Sequence, residues 1–88
     1  MGRLRPVPTG RATVEVPPSC DAIPHATVLL VHVAEDGRVD DVQVFRPDPC
    51  SAYTEAAVAA TRALTFRPAR REDRPVAAWL QVSIRREP

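Results

Sequence analysis

A small α+β domain is what this sequence predicts: an antiparallel sheet of three strands, or four, with one main helix packed on one face. Three observations predict it. Apolar segments rich in β-branched residues recur at 27–33, 39–45 and 76–84, each short enough for a strand. Between the second and third lies an alanine-rich stretch with helical spacing, and five of the ten prolines (Pro6, Pro8, Pro17, Pro18, Pro24) crowd in front of the first. The chain therefore divides into a Pro-rich extended segment at 1–26 and a folded unit at 27–88.

Residues 1–26 hold too many prolines for regular helix. Thr13, Val14, Glu15 and Val16 alternate well enough for a short edge strand that Pro17 would end, and a polyproline-like spacer is the competing reading. Residues 27–33 are apolar on both faces, with Val28 and Leu30 against Leu29, Val31 and Val33, which predicts a central, covered strand. Glu35, Asp36, Gly37 and Arg38 supply a hairpin turn, because Gly37 accepts positive φ without steric cost and Asp36 tolerates it. Residues 39–45 return as a half-buried strand, with Val42 and Val44 on one face and Asp41, Gln43 and Phe45 on the other.

Pro47 and Pro49 end that strand. Either Asp48, with Pro49 at the first helical position, or Ser51 can cap a helix that runs to about Leu64. Tyr53, Ala57, Ala60 and Leu64 form its sheet-facing stripe, with Glu55 and Arg62 on the opposite side. Pro68 prevents the helix from resuming and biases Arg67 to extended backbone, so Phe66 plugs the helix end into the core. A charged turn at 70–74 leads into the last strand, 76–84. Its apolar face is Ala78, Leu80, Val82 and Ile84; Trp79, Gln81 and Ser83 take the other.

Composition excludes several function classes. A chain of 88 residues holds one modest core, and a net charge of +1 gives no global field for nucleic acid or an anionic membrane. All 12 basic residues are Arg, read as compositional bias. No run approaches the ~20 apolar residues that would span a bilayer, and the N-terminus has no signal-peptide core. Arg67, Arg70, Arg71, Arg74, Arg85 and Arg86 make one basic cluster. Glu72 and Asp73 interrupt it and aromatics are scarce, so a solvated rim outweighs a nucleic-acid site.

Cys20, His25, His32 and Cys50 have zinc-ligand chemistry without the spacing of any known finger, and no glycine-rich oxyanion loop accompanies Cys50. No metal, no cofactor and no catalysis are expected. Glu35, Asp36, Asp40 and Asp41 read as solvated turn acids, with Asp40 and Asp41 pointing to opposite faces. Cys20 and Cys50 admit one intramolecular pairing. A bridge would close a loop of ~30 residues and add ~3 kcal/mol in an oxidising compartment, and two unpaired thiols are the alternative.

The ordered series Asp36-Gly37-Arg38-Val39, the alanine-rich helix, Phe66-Arg67-Pro68-Ala69 and a closing strand to Ile84 resembles the C-terminal domain of TonB-type energy transducers over about two thirds of the chain. The resemblance implies a non-enzymatic periplasmic binding module. In that family the last strand pairs with a short segment of an outer-membrane receptor, passing on energy or force from an inner-membrane complex. By position that implies Val76, Ala77, Ala78, Trp79, Leu80, Gln81, Val82, Ser83 and Ile84 as the partner-binding strand, with Arg70 and Arg71 steering an acidic peptide.

An adaptor of the same fold in a motility or secretion machine is the alternative function, and a small nucleic-acid-binding domain a third. Self-pairing of the last strand into a homodimer is the competing association. TonB-like proteins carry a membrane anchor and a Pro-rich spacer, so the chain reads as an excised domain or a soluble relative, tethered to the membrane only through a segment not present here. It departs from the family pattern at Arg46-Pro47-Asp48-Pro49-Cys50, at 17–25, and at Asp73-Arg74, where a glycine is usual.

Overall fold

Two nine-residue strands dominate the computed structural model, which describes residues 5–86; the outer ends of the two predicted segments, 1–4 and 87–88, lie outside the described residues. In chain order the elements are β1 (Val7–Pro8), β2 (His25–Val33), β3 (Val39–Arg46), α1 (Ser51–Arg62), β4 (Phe66–Arg67), β5 (Ala69–Arg71), β6 (Arg74–Val76) and β7 (Ala78–Arg86). The main sheet is antiparallel with order β3-β2-β7, so the most apolar strand is central, as its composition predicts. Two short antiparallel ribbons, β1 with β4 and β5 with β6, accompany it.

Helix α1 lies over β2 and β3 on one face of this sheet. Thr27, Leu29, Val31 and Val33 point into that layer and are fully buried, while Val28, Leu30 and His32 on the other face are half-buried. The expectation that both faces of β2 are well covered is therefore corrected: the sheet has one helical layer. Because α1 sits over β2 and β3, the inner residues of β7 (Leu80, Val82, Ile84) pack only against the edge of the core and remain half-buried.

The helix is capped by neither predicted residue but by one that lies between them. Cys50 occupies the N-cap position, its carbonyl accepting from the amides of Tyr53 and Thr54 at 3.0 and 3.2 Å. Asp48 turns its carboxylate elsewhere, and Ser51 is already helical. At the other end the amides of Ala63 and Leu64 reach back three residues, to Ala60 and Thr61, so the last turn tightens and the helix stops at Arg62. The buried stripe is Tyr53, Ala57 and Thr61, at uniform spacing of four; Ala60 and Leu64 are half-buried. Thr61 fits because its hydroxyl donates to the Ala57 carbonyl at 2.8 Å.

No strand forms over 13–16; the extra strand is β1, farther toward the N-terminus. Val7 pairs with Arg67 and Pro8 with Phe66, and the Thr9 amide and hydroxyl both donate to the Thr65 carbonyl at 3.0 Å. Val16 precedes Pro17 and Pro18, so an edge there has little length over which to build a ladder.

Gly37 takes φ 86° and its amide donates to Ala34, while the Asp36 carboxylate accepts from the Arg38 amide at 3.0 Å. Asp36 thus shapes the turn by a side-chain hydrogen bond, with no positive φ of its own. The β5–β6 hairpin turns on Glu72 and Asp73 at φ 51° and 64°, a conformation that suits Asn and Gly. Asp73→Gly is expected to stabilise the domain by about 0.5–1 kcal/mol, visible as a raised midpoint in thermal melting. An unchanged or lowered midpoint would mean that the turn carries no strain.

Candidate functional site

The two edges of the main sheet are not equivalent. Against β2, β3 loses register twice, between Val28 and Leu29 and between His32 and Val33, leaving Phe45 and Asp40 as extra residues. Bulges of this kind twist an edge out of the regular pattern that an added strand requires. By contrast β7 pairs with β2 without interruption from His25↔Arg86 to Val33↔Ala78. No strand pairs with the outer side of β7 among the described residues.

The predicted partner-binding residues divide between three elements. Ala78, Trp79, Leu80, Gln81, Val82, Ser83 and Ile84 belong to β7 and alternate as expected, with Trp79, Gln81 and Ser83 exposed on the open face. Val76 is a correction: it closes the β5–β6 hairpin opposite Ala69, and Ala77 is the exposed link between hairpin and strand. The strand begins two residues late because that hairpin uses up Arg74–Val76, and it continues two residues further, to Arg86. Arg70 and Arg71 sit exposed on β5, the Arg70 guanidinium donating to the Asp73 carbonyl at 2.8 Å.

A groove runs along β7 on the helical side. Leu80, Val82 and Ile84 line it together with Leu64 and Phe66 and with Pro6, Pro8 and Gly10 of the N-terminal segment. The apolar half of an incoming strand would find hydrophobic contact there while its backbone faced the β7 edge.

The end of β7 is anchored by a polar cluster. Arg86 is 3% exposed, continuing the inward parity of Leu80, Val82 and Ile84. Its Nε donates to Asp48 Oδ2 at 2.7 Å, its Nη1 donates to the Asp21 carbonyl and lies 3.2 Å from Asp21 Oδ1, and its guanidinium sits 5.8 Å from the centre of the Tyr53 ring. Burial raises the pKa of Asp48, but the hydrogen bonds from Arg86 and the Cys50 amide outweigh it and leave the carboxyl below its usual range. Asp21 is lowered chiefly by the Ile23 amide, and Arg86 is raised chiefly by its bond to Asp48. Burial raises the Tyr53 phenol. Arg86 is thus withdrawn from the basic rim, and Asp48, read as a helix cap, is its buried counter-ion. Sequence parity could have found Arg86; nothing local pointed to Asp48.

Cys20 and Cys50 form a disulfide with a Cα–Cα distance of 5.6 Å, so neither sulfur is free as a thiolate ligand. His32 and Asp40 do meet, Nδ1 to Oδ1 at 2.5 Å, with the His32 ring 4.9 Å from that of Trp79. The bulge at Asp40 cancels the alternation that should separate Asp40 from Asp41: Asp41 is the ladder partner of His32, and Asp40 reaches the same ring.

No curated protein matches the chain in a sequence comparison. The model of one family, described as Gram-negative bacterial TonB protein C-terminal, matches residues 26–86, a span that opens inside β2 and closes on the last residue of β7. With that match covering the sheet, the helix and the free edge, the chain belongs to the TonB C-terminal family.

Proposed function

We propose that this domain binds an extended peptide of an outer-membrane receptor by strand addition along β7, and so transmits force from an inner-membrane complex to that receptor. The family is one of non-enzymatic transducer domains, periplasmic in setting, that interact with outer-membrane proteins. The observation that carries the finer reading is the contrast between edges: nine residues of unbroken register on β7 against two bulges on β3. A regular edge offers a partner's backbone a row of donors and acceptors, and the groove beside Leu80 and Val82 supplies apolar contact. Exposed Gln81 and Ser83 add side-chain hydrogen bonds on the open face, and Arg70 and Arg71 favour an acidic peptide.

Titration with a receptor-derived peptide, followed by amide chemical shifts, tests this. Perturbations are expected along β7 and at Leu64 and Phe66. Shifts confined to the Asp36 turn, with β7 silent, would exclude the edge. Of each neighbouring pair along β7 one N–H points to β2 and the other outward, so proline at the outward member should weaken binding and leave the sheet intact. Arg70→Ala and Arg71→Ala should change mainly the association rate and its salt dependence. Broadening of the β7 signals with protein concentration alone would identify self-pairing as the occupant of the edge.

A further inference from the structure

We propose that Cys20–Cys50 is a thiol–disulfide exchange site through which a dithiol unlocks the Pro-rich segment at 10–24 from the end of β7. This does not depend on the peptide-binding reading. The two cysteines stand in a closed ring of bonds: Cys20 to Cys50 by the disulfide, the Cys50 amide to Asp48 Oδ1 at 2.8 Å, Asp48 Oδ2 to Arg86 Nε at 2.7 Å, and Arg86 Nη1 to Asp21, the residue after Cys20. Two links therefore fasten 10–24 to the domain at this end, one covalent and one polar, and each holds the other in register.

Exposure and local electrostatics make the bond addressable. Both cysteines are half-buried, and with Ser19, Asp21, Pro49 and Ser51 they line a surface groove. Cys50 is the N-cap of the twelve-residue α1; its bridged sulfur makes no capping hydrogen bond, and once released as thiolate it stands at the positive end of the helix, which favours negative charge there. It is the better leaving group, so an attacking thiolate is directed to Cys20. The incoming thiolate forms a mixed disulfide with Cys20 Sγ, the Cys20–Cys50 bond breaks, and its electron pair goes to Cys50 Sγ. The second thiolate of the reductant then attacks its own sulfur in the mixed disulfide and releases Cys20 as thiolate. Two electrons pass from the dithiol, which becomes a cyclic disulfide, and its two protons end on the cysteines.

The consequence reaches β7 through Arg86. Among the described residues its Nη2 has no hydrogen-bond partner even in the closed ring. Once the Asp21 loop leaves, Nη1 loses its partners and the guanidinium, which that loop helps to cover, is opened to water. The end of β7 is then held there by the Arg86–Asp48 bond alone, and its last residues loosen.

Treating the oxidised full chain with dithiothreitol under native conditions, and trapping thiols by alkylation for mass spectrometry, measures the exchange rate. It is expected to exceed, by at least about tenfold, the global opening rate read from amide exchange at Leu29 and Val31. Amide exchange in the reduced protein should quicken at Cys20 and Ile23, the hydrogen-bonded amides of the segment, and at the Arg86 end of β7 while Leu29 and Val31 stay protected. Glutathione, a monothiol, should leave its adduct on Cys20. Thiols released no faster than global opening, unchanged protection at Cys20, Ile23 and the Arg86 end of β7 after reduction, or an adduct on Cys50 would each overturn the proposal. The double variant Cys20→Ser, Cys50→Ser is expected to reproduce the reduced pattern; if it fails to fold, reduction of the intact chain decides.

Discussion

Replacing Phe66 with alanine is expected to lower stability by about 3–5 kcal/mol, the cost of a large buried ring together with the cavity it leaves. Phe66 is 5% exposed and packs with Leu29, Val31, Val33 and Val42, the core cluster of the sheet. It joins three parts of the molecule: it leads β4, pairs with Pro8 of β1, and its amide donates to the Gly37 carbonyl at 2.8 Å. A domain of this size has only about 5–10 kcal/mol in hand. Thermal melting should therefore show a fall of at least about 12 °C, or no cooperative transition at all. Leu64→Ala, at a half-buried position beside the groove, should cost distinctly less. Equal losses at the two sites would mean that the core is misplaced.

The second large effect is expected at Gly37→Ala, through the same contact seen from the hairpin side. Gly37 is buried at φ 86°, and a methyl group there would come within 2.1 Å of the Phe66 carbonyl oxygen. That neighbour is backbone, held by β1 on one side and by the Arg38↔Thr65 bridge on the other, so it cannot swing aside. The left-handed conformation costs about 1–2 kcal/mol and the overpacking about 1–3 more, which adds to roughly 2–5 kcal/mol in denaturant unfolding. Gly37→Asn separates the two contributions, because asparagine tolerates the φ but not the contact. If Asn is accepted and Ala is not, the strain is conformational alone and the close approach is wrong.

Phe66 also illustrates what could be read locally. Its place after a helical stretch and before Pro68 announces a buried plug, and both the plug and the central strand are found where the pattern puts them. The inner and outer faces of β7 follow strict alternation, so Trp79, Gln81 and Ser83 emerge on the open side as expected. Each of these depends on a period of two or on a proline, both of which act within a few residues. Helix limits were less legible. Cys50 displaced both Asp48 and Ser51 as N-cap because Asp48 is bonded to an arginine 38 positions away and the Cys50 sulfur is bridged to Cys20.

The apolar central strand, the hairpin turn, the helix and the apolar parity of β7 were thus determined by the sequence alone, since propensity, periodicity and turn chemistry are local properties of the chain. The tertiary structure decided which strand edge stays regular, because the bulges at Phe45 and Asp40 arise only when β3 is laid against β2. It also decided the fate of the charges. Arg86, Asp48 and Asp21 look like surface residues one at a time, and become a buried cluster only when the end of β7, the start of α1 and the Pro-rich segment converge on the disulfide. Long-range pairing of this kind depends on distances through space that no local pattern encodes.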